Sequence, residues 1–272
     1  MGQGLFDEIA EFRQIEPGCD ELLGYSVRQQ CLEDPGNRLR DTRYTQPCLY
    51  VVNALHYYKA MAEGRSADYL AGHSLGEYNA LLAAGVFDFM TGLQLVTRRG
   101  ELMAEARNGA MAAVIGLSPD MIRRCLDNHG LFGLELANYN APTQFVLSGP
   151  VDDLKRATPL LKKAGAQACI AVPVSAAFHS RHMTGAAEAF GDFLARFTFR
   201  PPATPVVSNV TGTLYPSEVE DGAVKTMLVE QMSRPVLWLQ SMRELLELGV
   251  TRFIEVGPGN VLTRLLQQIR QS

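Results

Sequence analysis

The stretch AGHSLGEYNALLAAG, residues 71–85, places Ser74 between two glycines at the point where an apolar run becomes helical. Residues 68–71 are typical of a short strand, and the helix predicted after Ser74 continues to about Ala84. Residues Gly72–Gly76 match the G-x-S-x-G turn, which projects a serine hydroxyl between a strand and a helix. The stretch therefore predicts an α/β fold with Ser74 as a candidate nucleophile.

The composition narrows the class of protein. The 272 residues are 47% hydrophobic and 20% charged, which is enough for a large buried core. The net charge of −4 comes without a basic run, so nucleic acid is not an expected partner. No apolar run is long enough for a membrane span, and the N-terminus lacks a signal-peptide pattern. Five scattered cysteines are typical of reduced thiols, so a cytoplasmic location is predicted.

The order of the predicted elements indicates a core with an insertion. The first seventy residues are predicted to be helical, and parallel strands are predicted at residues 68–71, 206–209 and 252–256. Between them, the pattern βαββαβ is that of a ferredoxin-like sandwich. We therefore expect an α/β-hydrolase-like core with a parallel sheet from residues 1–108 and 175–272, and an inserted ferredoxin-like subdomain from residues 109–174.

A nucleophilic serine requires a base and a site for the oxyanion. Of the five histidines, His179 and His182 in VSAAFHSRHM are the best placed, and the sequence barely separates them; the position of His179 between a loop and a helix favours it. Their spacing would also suit a metal pair, but no further ligands accompany them, so no metal is expected. The N–H of Leu75, at the start of a helix, is predicted to stabilise an oxyanion.

Helical periodicity over residues 88–106 separates two adjacent arginines. Arg98 falls on the polar face, whereas Arg99 falls on the apolar face and is predicted to point inward. A buried guanidinium needs an anionic partner, because it keeps its charge. The sequence leaves two interpretations open: a structural salt bridge, or a site for the carboxylate of a substrate.

Together, Ser74, Arg99 and the segment AAFHS at residues 176–180 resemble the malonyl-CoA:acyl carrier protein acyltransferases of fatty-acid and polyketide synthesis. The resemblance spans essentially the whole chain, and includes the segments TQPCLYVVNAL, GHSLGEYNALLAAGVFDF, VTRRGELM, MAAVIGL, ANYNAPTQFVLSG, PVVSNVTG, RPVLW and EVGPGNVLTRLL. It is strongest towards free-standing acyltransferases, or discrete acyltransferase domains, that serve polyketide synthases in trans.

The resemblance implies a role for each residue that matches the family's site. Ser74 would be acylated, His179 would be the general base, Leu75 would donate its backbone N–H, and the backbone carbonyl of Gln231 would orient the histidine. No acidic third member is then required. The implied substrate-binding residues are Arg99, for the malonyl carboxylate, Phe178, associated with malonyl rather than branched units, and His73, Met103 and Asn140, which would line the site.

The implied activity is transfer of a malonyl group through a malonyl-serine ester. The donor would be malonyl-CoA, and the acceptor the phosphopantetheine thiol of an acyl carrier protein, with no cofactor held by the chain itself. Ketosynthases or other polyketide synthase modules are further expected partners, and the chain is expected to be a monomer. A proofreading acyl hydrolase on the same fold and a non-catalytic docking domain are the alternatives; Arg99 argues against the hydrolase.

The segment MGQG at residues 1–4 only superficially resembles the opening glutamine motif of the family. In an ungapped alignment back from Ser74, that motif and its strand fall upstream of residue 1. We therefore expect no catalytic role for Gln3.

Overall fold

Helices form most of the first sixty residues, as the sequence predicts. The computed structural model describes residues 1–107, 109–216 and 221–271. The first helices are α1 (Leu5–Glu8), α2 (Ala10–Leu23), α3 (Val27–Glu33) and α4 (Thr42–Ala62). Asp41 caps α4 by accepting the N–H of Arg43 over 3.0 Å, and the buried face of the helix packs against a later helix, α6 (Phe89–Glu105).

A strand, a tight turn and a helix follow. Strand β1 (Leu70–Ala71) leads into the Ser74 turn, and α5 (Gly76–Ala83) begins directly after it. Strand β6 (Val206–Val207) pairs with β1 in parallel, so within the described residues the parallel sheet consists of two short strands. Both strands lie within the predicted segments, although they are shorter.

An antiparallel sheet occupies the middle of the chain. Its elements, in order, are β2 (Gly109–Ile115), α7 (Pro119–Asn128), β3 (Glu135–Ala141), β4 (Gln144–Pro150), α8 (Val151–Lys163) and β5 (Ala168–Val172). The strand order β3-β4-β2-β5 is that of a split βαβ sandwich. Buried side chains, including Val114, Ile122 and Phe145, form a separate apolar cluster under this sheet. The predicted fold class, a parallel core with a separate ferredoxin-like sheet, is confirmed.

The boundaries of the two units stay predictions. The expected first core segment ends at residue 108, and the expected second one contains residues 217–220 and 272, all of which lie outside the described residues. The rest of the chain contains α9 (Thr184–Leu194), α10 (Asp221–Ser233), α11 (Trp238–Glu247) and α12 (Val261–Arg270). Among the described residues, no helix is both long and apolar enough to cross a lipid bilayer.

The strand predicted at residues 252–256 is wrong. These residues belong to neither sheet in the described chain, and the side chains of Ile254 and Val256 are 40% and 37% exposed. Glu255 instead turns towards the start of α12, where its carboxylate accepts the backbone N–H groups of Leu262 and Thr263 over 3.1 and 2.8 Å. An apolar run becomes a strand only where a neighbouring strand pairs with it.

Candidate active site

The Ser74 turn depends on a close approach between two glycines. A Cβ added to Gly72 would lie 2.0 Å from the backbone of Gly76, so only glycine fits at the first position. Ser74 has a backbone φ of +51°, a value that residues other than glycine rarely adopt. The turn is closed by a 2.9 Å hydrogen bond from the Gly76 N–H to the His73 carbonyl. The Leu75 N–H precedes the first helical turn and has no acceptor in the part of the chain that the structure describes.

His179 lies against the Ser74 hydroxyl. Its Nε2 is 2.8 Å from Ser74 Oγ, and its Nδ1 is 2.7 Å from the backbone carbonyl of Gln231. Because a carbonyl only accepts, Nδ1 carries the hydrogen and Nε2 presents its lone pair to the hydroxyl. Burial, together with the positive charge of Arg99, lowers the pKa of His179 to about 3. The ring is therefore neutral at physiological pH and able to accept a proton.

The structure separates the two histidines that the sequence could not. His182 is exposed and directs its Nε2 to the Gly133 carbonyl at 2.9 Å, away from Ser74. His73, beside Ser74, bonds instead to Asn140 Oδ1 over 2.8 Å, and burial lowers its pKa. Only His179 reaches the hydroxyl among the described histidines.

Arg99 is buried beside Ser74, with 1% of its surface exposed. Its Nη2 donates to Ser74 Oγ over 3.2 Å and to Gln231 Oε1 over 3.0 Å, while Nη1 donates to Gln46 Oε1 over 2.5 Å. Its Nε has no acceptor within the described chain, and no described carboxylate forms an ion pair with it. The structural salt bridge that the sequence left open is therefore not found. Arg98 faces the other way and pairs with Glu101 over 3.0 Å.

Three further predicted site residues lie around this centre. Phe178, which is 8% exposed, precedes His179 and lines a cavity of about 390 Å³ that Thr42 also borders. Met103 lies one turn after Arg99 on α6, and its sulfur accepts the Gln46 amide over 3.3 Å. Asn140, on β3, reaches the Ser74 turn through His73. Gln3 is exposed, and nothing in the described residues ties it to this centre.

Three polar residues that the structure brings to the centre are not among the predicted site residues. Gln46 holds Arg99, the side chain of Asn209 accepts the Ser74 N–H over 2.6 Å, and Glu77 is fully buried beneath the turn. Each lies in a segment already noted for its resemblance, TQPCLYVVNAL, PVVSNVTG or GHSLGEYNALLAAGVFDF. A polar residue inside a predominantly apolar segment was the signal that could have identified them.

The family model described as "Acyl transferase domain" matches residues 1–272. The chain belongs to this family. It is 46% identical, over all of this chain and 92% of the relative, to the polyketide biosynthesis malonyl CoA-acyl carrier protein transacylase PksC of Bacillus subtilis.

Solved structures agree with this assignment. The malonyl CoA-acyl carrier protein transacylase of Burkholderia pseudomallei is 47% identical, with a TM-score of 0.94 over all of this chain and 93% of that one. A malonyl-transacylase in complex with a type II acyl-carrier protein, PlMCAT:AntF, is 33% identical, with a TM-score of 0.91 over 98% of this chain and 87% of that one. These likenesses are far above the level at which only the fold is shared.

Proposed function

We propose that this chain transfers a malonyl group from malonyl-CoA to the phosphopantetheine thiol of an acyl carrier protein, for polyketide or fatty-acid synthesis. The observation that carries the proposal is the double contact of the Ser74 hydroxyl, at 2.8 Å from His179 Nε2 and 3.2 Å from Arg99 Nη2. A base and a buried cation thus meet at a single hydroxyl. PksC and the Burkholderia pseudomallei protein, both malonyl CoA-acyl carrier protein transacylases, support the same activity.

In the proposed first half-reaction, Ser74 attacks the thioester carbonyl. His179 Nε2 takes the hydroxyl proton, and the Gln231 carbonyl holds the resulting imidazolium through Nδ1–H. The unpaired Leu75 N–H stabilises the tetrahedral oxyanion. When the intermediate collapses, the C–S bond breaks and the coenzyme A sulfur takes the proton from His179. A malonyl ester of Ser74 remains.

The far end of the malonyl group is assigned to Arg99. The carboxylate and the attacked carbonyl of a malonyl group are separated by one carbon, and Arg99 is in direct contact with the attacking oxygen. The buried guanidinium has an unpaired Nε–H and no carboxylate partner among the described residues, so a substrate carboxylate would complete its hydrogen bonding. An acetyl group offers no such partner, which gives a physical basis for selecting the diacid.

The second half-reaction reverses the first with a different thiol. The carrier's phosphopantetheine sulfur gives its proton to His179 and attacks the ester, and Ser74 Oγ leaves and regains the proton. Such a sequence has ping-pong kinetics and uses no cofactor bound to this chain. The complex of a malonyl-transacylase with its acyl-carrier protein supports a carrier protein as the partner here.

Intact-mass measurement tests the proposal. The wild type mixed with malonyl-CoA should gain one malonyl mass, and Ser74→Ala should gain none. Ser118→Ala is a matched control, because Ser118 only caps α7; it should load like the wild type. When holo carrier protein is added, the enzyme should lose the malonyl mass and the carrier protein should gain it. An unmodified wild type, or release to water at the same rate without carrier, would refute the transferase.

Three finer predictions remain part of this proposal. We expect a cytoplasmic location, supported by five cysteines that are all free thiols. A monomeric state and contacts with ketosynthases or other polyketide synthase modules are also expected. Size-exclusion chromatography coupled to light scattering would test the oligomeric state directly.

A further inference from the structure

Glu77 is a fully buried carboxylate beneath the Ser74 turn that the proposed chemical steps do not use. It lies in the first turn of α5, with none of its surface exposed. Its oxygens accept three donors: the Tyr215 hydroxyl at 2.6 Å, the Asn209 backbone N–H at 3.3 Å and the Gln231 side-chain amide at 2.5 Å. A buried carboxylate with this set of donors requires an explanation, because burial disfavours the charged form.

The Gln231 amide connects Glu77 to Arg99. Its Nε2 donates to Glu77 Oε2 and to the Ser74 carbonyl, the latter over 2.9 Å, while its Oε1 accepts Arg99 Nη2 over 3.0 Å. A carboxylate and a backbone carbonyl can only accept and a guanidinium can only donate, so Glu77, the Ser74 carbonyl and Arg99 together fix which way the amide faces. The charge of Glu77 strengthens the hydrogen bond that the amide donates to it.

Asn209 connects Glu77 to the nucleophile. The Asn209 backbone N–H donates to Glu77, while its side chain accepts the Ser74 N–H over 2.6 Å and donates to the Gly72 carbonyl over 2.7 Å. Ser74 has a positive φ, a conformation that persists only where its surroundings hold it. Glu77 therefore contacts both residues that hold the turn, Gln231 through its side-chain amide and Asn209 through its backbone N–H.

We propose that Glu77 is a positioning residue whose negative charge, acting through the Gln231 amide, holds the Arg99 guanidinium in place to receive the malonyl carboxylate. Arg99 has no carboxylate in ion-pair contact among the described residues, and the buried carboxyl group of Glu77 lies one amide away from it. The inference rests on the proposed function for the identity of the substrate. It predicts that selection of malonyl over acetyl depends on the charge of residue 77.

The charge of Glu77 can be followed by pH, because the neighbouring titratable groups do not change their charge near neutral pH. Burial raises the pKa of Glu77 to about 7, although its three donors and Arg99 oppose the shift. Burial also raises the pKa values of Tyr78 and Tyr215, lowers that of Arg99 without neutralising it at physiological pH, and contributes most to a His179 pKa of about 3. Among these facing groups, Glu77 is therefore the one that changes charge near neutral pH.

The experiment measures competition between malonyl-CoA and acetyl-CoA for Ser74, as a ratio of the two acyl masses at a series of pH values. The phosphates of coenzyme A are common to both donors, so their titration cancels in the ratio. In the wild type, the malonyl-to-acetyl ratio should fall as the pH is lowered through about 7. In Glu77→Gln, the malonyl-to-acetyl ratio should be about tenfold lower than in the wild type at high pH, because the Gln231 amide loses a charged hydrogen-bond partner. The ratio in this variant should not depend on pH.

Two further variants separate positioning from stability. Tyr215→Phe removes a donor to the carboxylate; it should displace the wild-type curve to higher pH while the ratio recovers in alkaline solution. Tyr50→Phe removes an equally buried hydroxyl, which donates to the Phe89 carbonyl over 3.1 Å and does not touch the site. It should lower the thermal midpoint but keep the wild-type curve.

A wild-type ratio that does not vary with pH, or a Glu77→Gln curve that coincides with the wild type, would overturn the inference. If Glu77→Gln does not fold, the wild-type curve and its displacement in Tyr215→Phe decide the question. Failure of the proposed function would be seen differently, as a wild type that gains no acyl mass from either donor.

Discussion

His73 Nε2 lies 2.8 Å from Asn140 Oδ1, and this hydrogen bond joins the Ser74 turn to strand β3 of the antiparallel sheet. Asn140 is 8% exposed, so the bond is largely shielded from water. The bond requires the hydrogen on Nε2 of His73, because the amide oxygen only accepts. One wall of the candidate site is therefore fixed relative to Ser74 by a contact between the turn that follows β1 and strand β3.

Replacement of Asn140 should weaken malonyl-CoA binding rather than the reaction. Asn140→Ala leaves the His73 N–H without its acceptor and frees the ring to move, so the half-saturating malonyl-CoA concentration for loading should rise about tenfold. Tyr139→Phe is the control, since its hydroxyl only accepts an exposed bond from Arg123. Loading rates across a concentration series measure both. Unchanged half-saturation in Asn140→Ala would contradict the prediction.

The two glycines that flank Ser74 should differ in their tolerance of a side chain. A Cβ at Gly72 would meet the Gly76 backbone at 2.0 Å, whereas a Cβ at Gly76 would have no neighbour within 4 Å. Gly72→Ala should lower the free energy of unfolding by about 2 kcal/mol or more and abolish loading. Gly76→Ala should fold like the wild type. Denaturant unfolding of both variants gives the comparison, and equal stabilities would argue against the elbow geometry.

The two adjacent arginines of α6 should have opposite importance. Arg99→Ala removes the buried cation, so malonyl loading should fall about a hundredfold or more relative to acetyl loading. Arg98→Ala removes a half-exposed pair with Glu101 and should change loading by less than about twofold. Intact-mass competition between the two CoA thioesters measures the preference. An unchanged preference for malonyl over acetyl in Arg99→Ala would contradict the assignment of Arg99 as the carboxylate site.

The pH dependence of Ser74 acylation should show no loss near the ordinary histidine pKa. Burial and Arg99 hold the pKa of His179 at about 3 instead of 6.5, so the base stays unprotonated throughout mildly acidic solution. With p-nitrophenyl acetate, which has no carboxylate for Arg99, the acylation rate should stay level down to about pH 5. His182→Gln, at an exposed position, should give the same profile.

The lowered pKa of His179 also makes the stability of the fold depend on pH. The folded-state pKa of His179 is below its unfolded value, so the stability from the neutral ring is present above about pH 6.5 and is lost as the pH falls towards 3. His179→Gln should therefore show less acid destabilisation in this window. An acylation rate that halves near pH 6.5 would contradict this prediction, because it would mean that the His179 ring is exposed to water.

Local patterns in the sequence predicted local geometry well. The helical period over residues 88–106 assigned Arg99 to the buried face and Arg98 to solvent, because a 100° turn per residue decides which way each side chain points. The G-x-S-x-G spacing predicted the turn at Ser74 for a similar reason, since the close approach of Gly72 to Gly76 spans only four positions. Both inferences needed nothing from the rest of the chain.

Features that depend on distant residues could not be predicted in this way. Gln231 and Glu77 are 154 positions apart in the sequence, and nothing within the segment GHSLGE indicates which residue its carboxylate will contact. The strand expected at residues 252–256 was wrong for the same kind of reason, because an apolar run does not specify whether a neighbouring strand will lie beside it. The choice between His179 and His182 likewise needed the fold.

The near-complete burial of Arg99 has a consequence for every turnover. Its guanidinium lost its hydration shell when the chain folded, and three neutral oxygens and the Tyr78 ring, 5.5 Å away, now surround it. In the proposed reaction, an arriving malonyl carboxylate would therefore lose only its own hydration water, because the cation is already dehydrated and oriented. The proposed discrimination between acyl groups would thus be prepared during folding, before any donor binds.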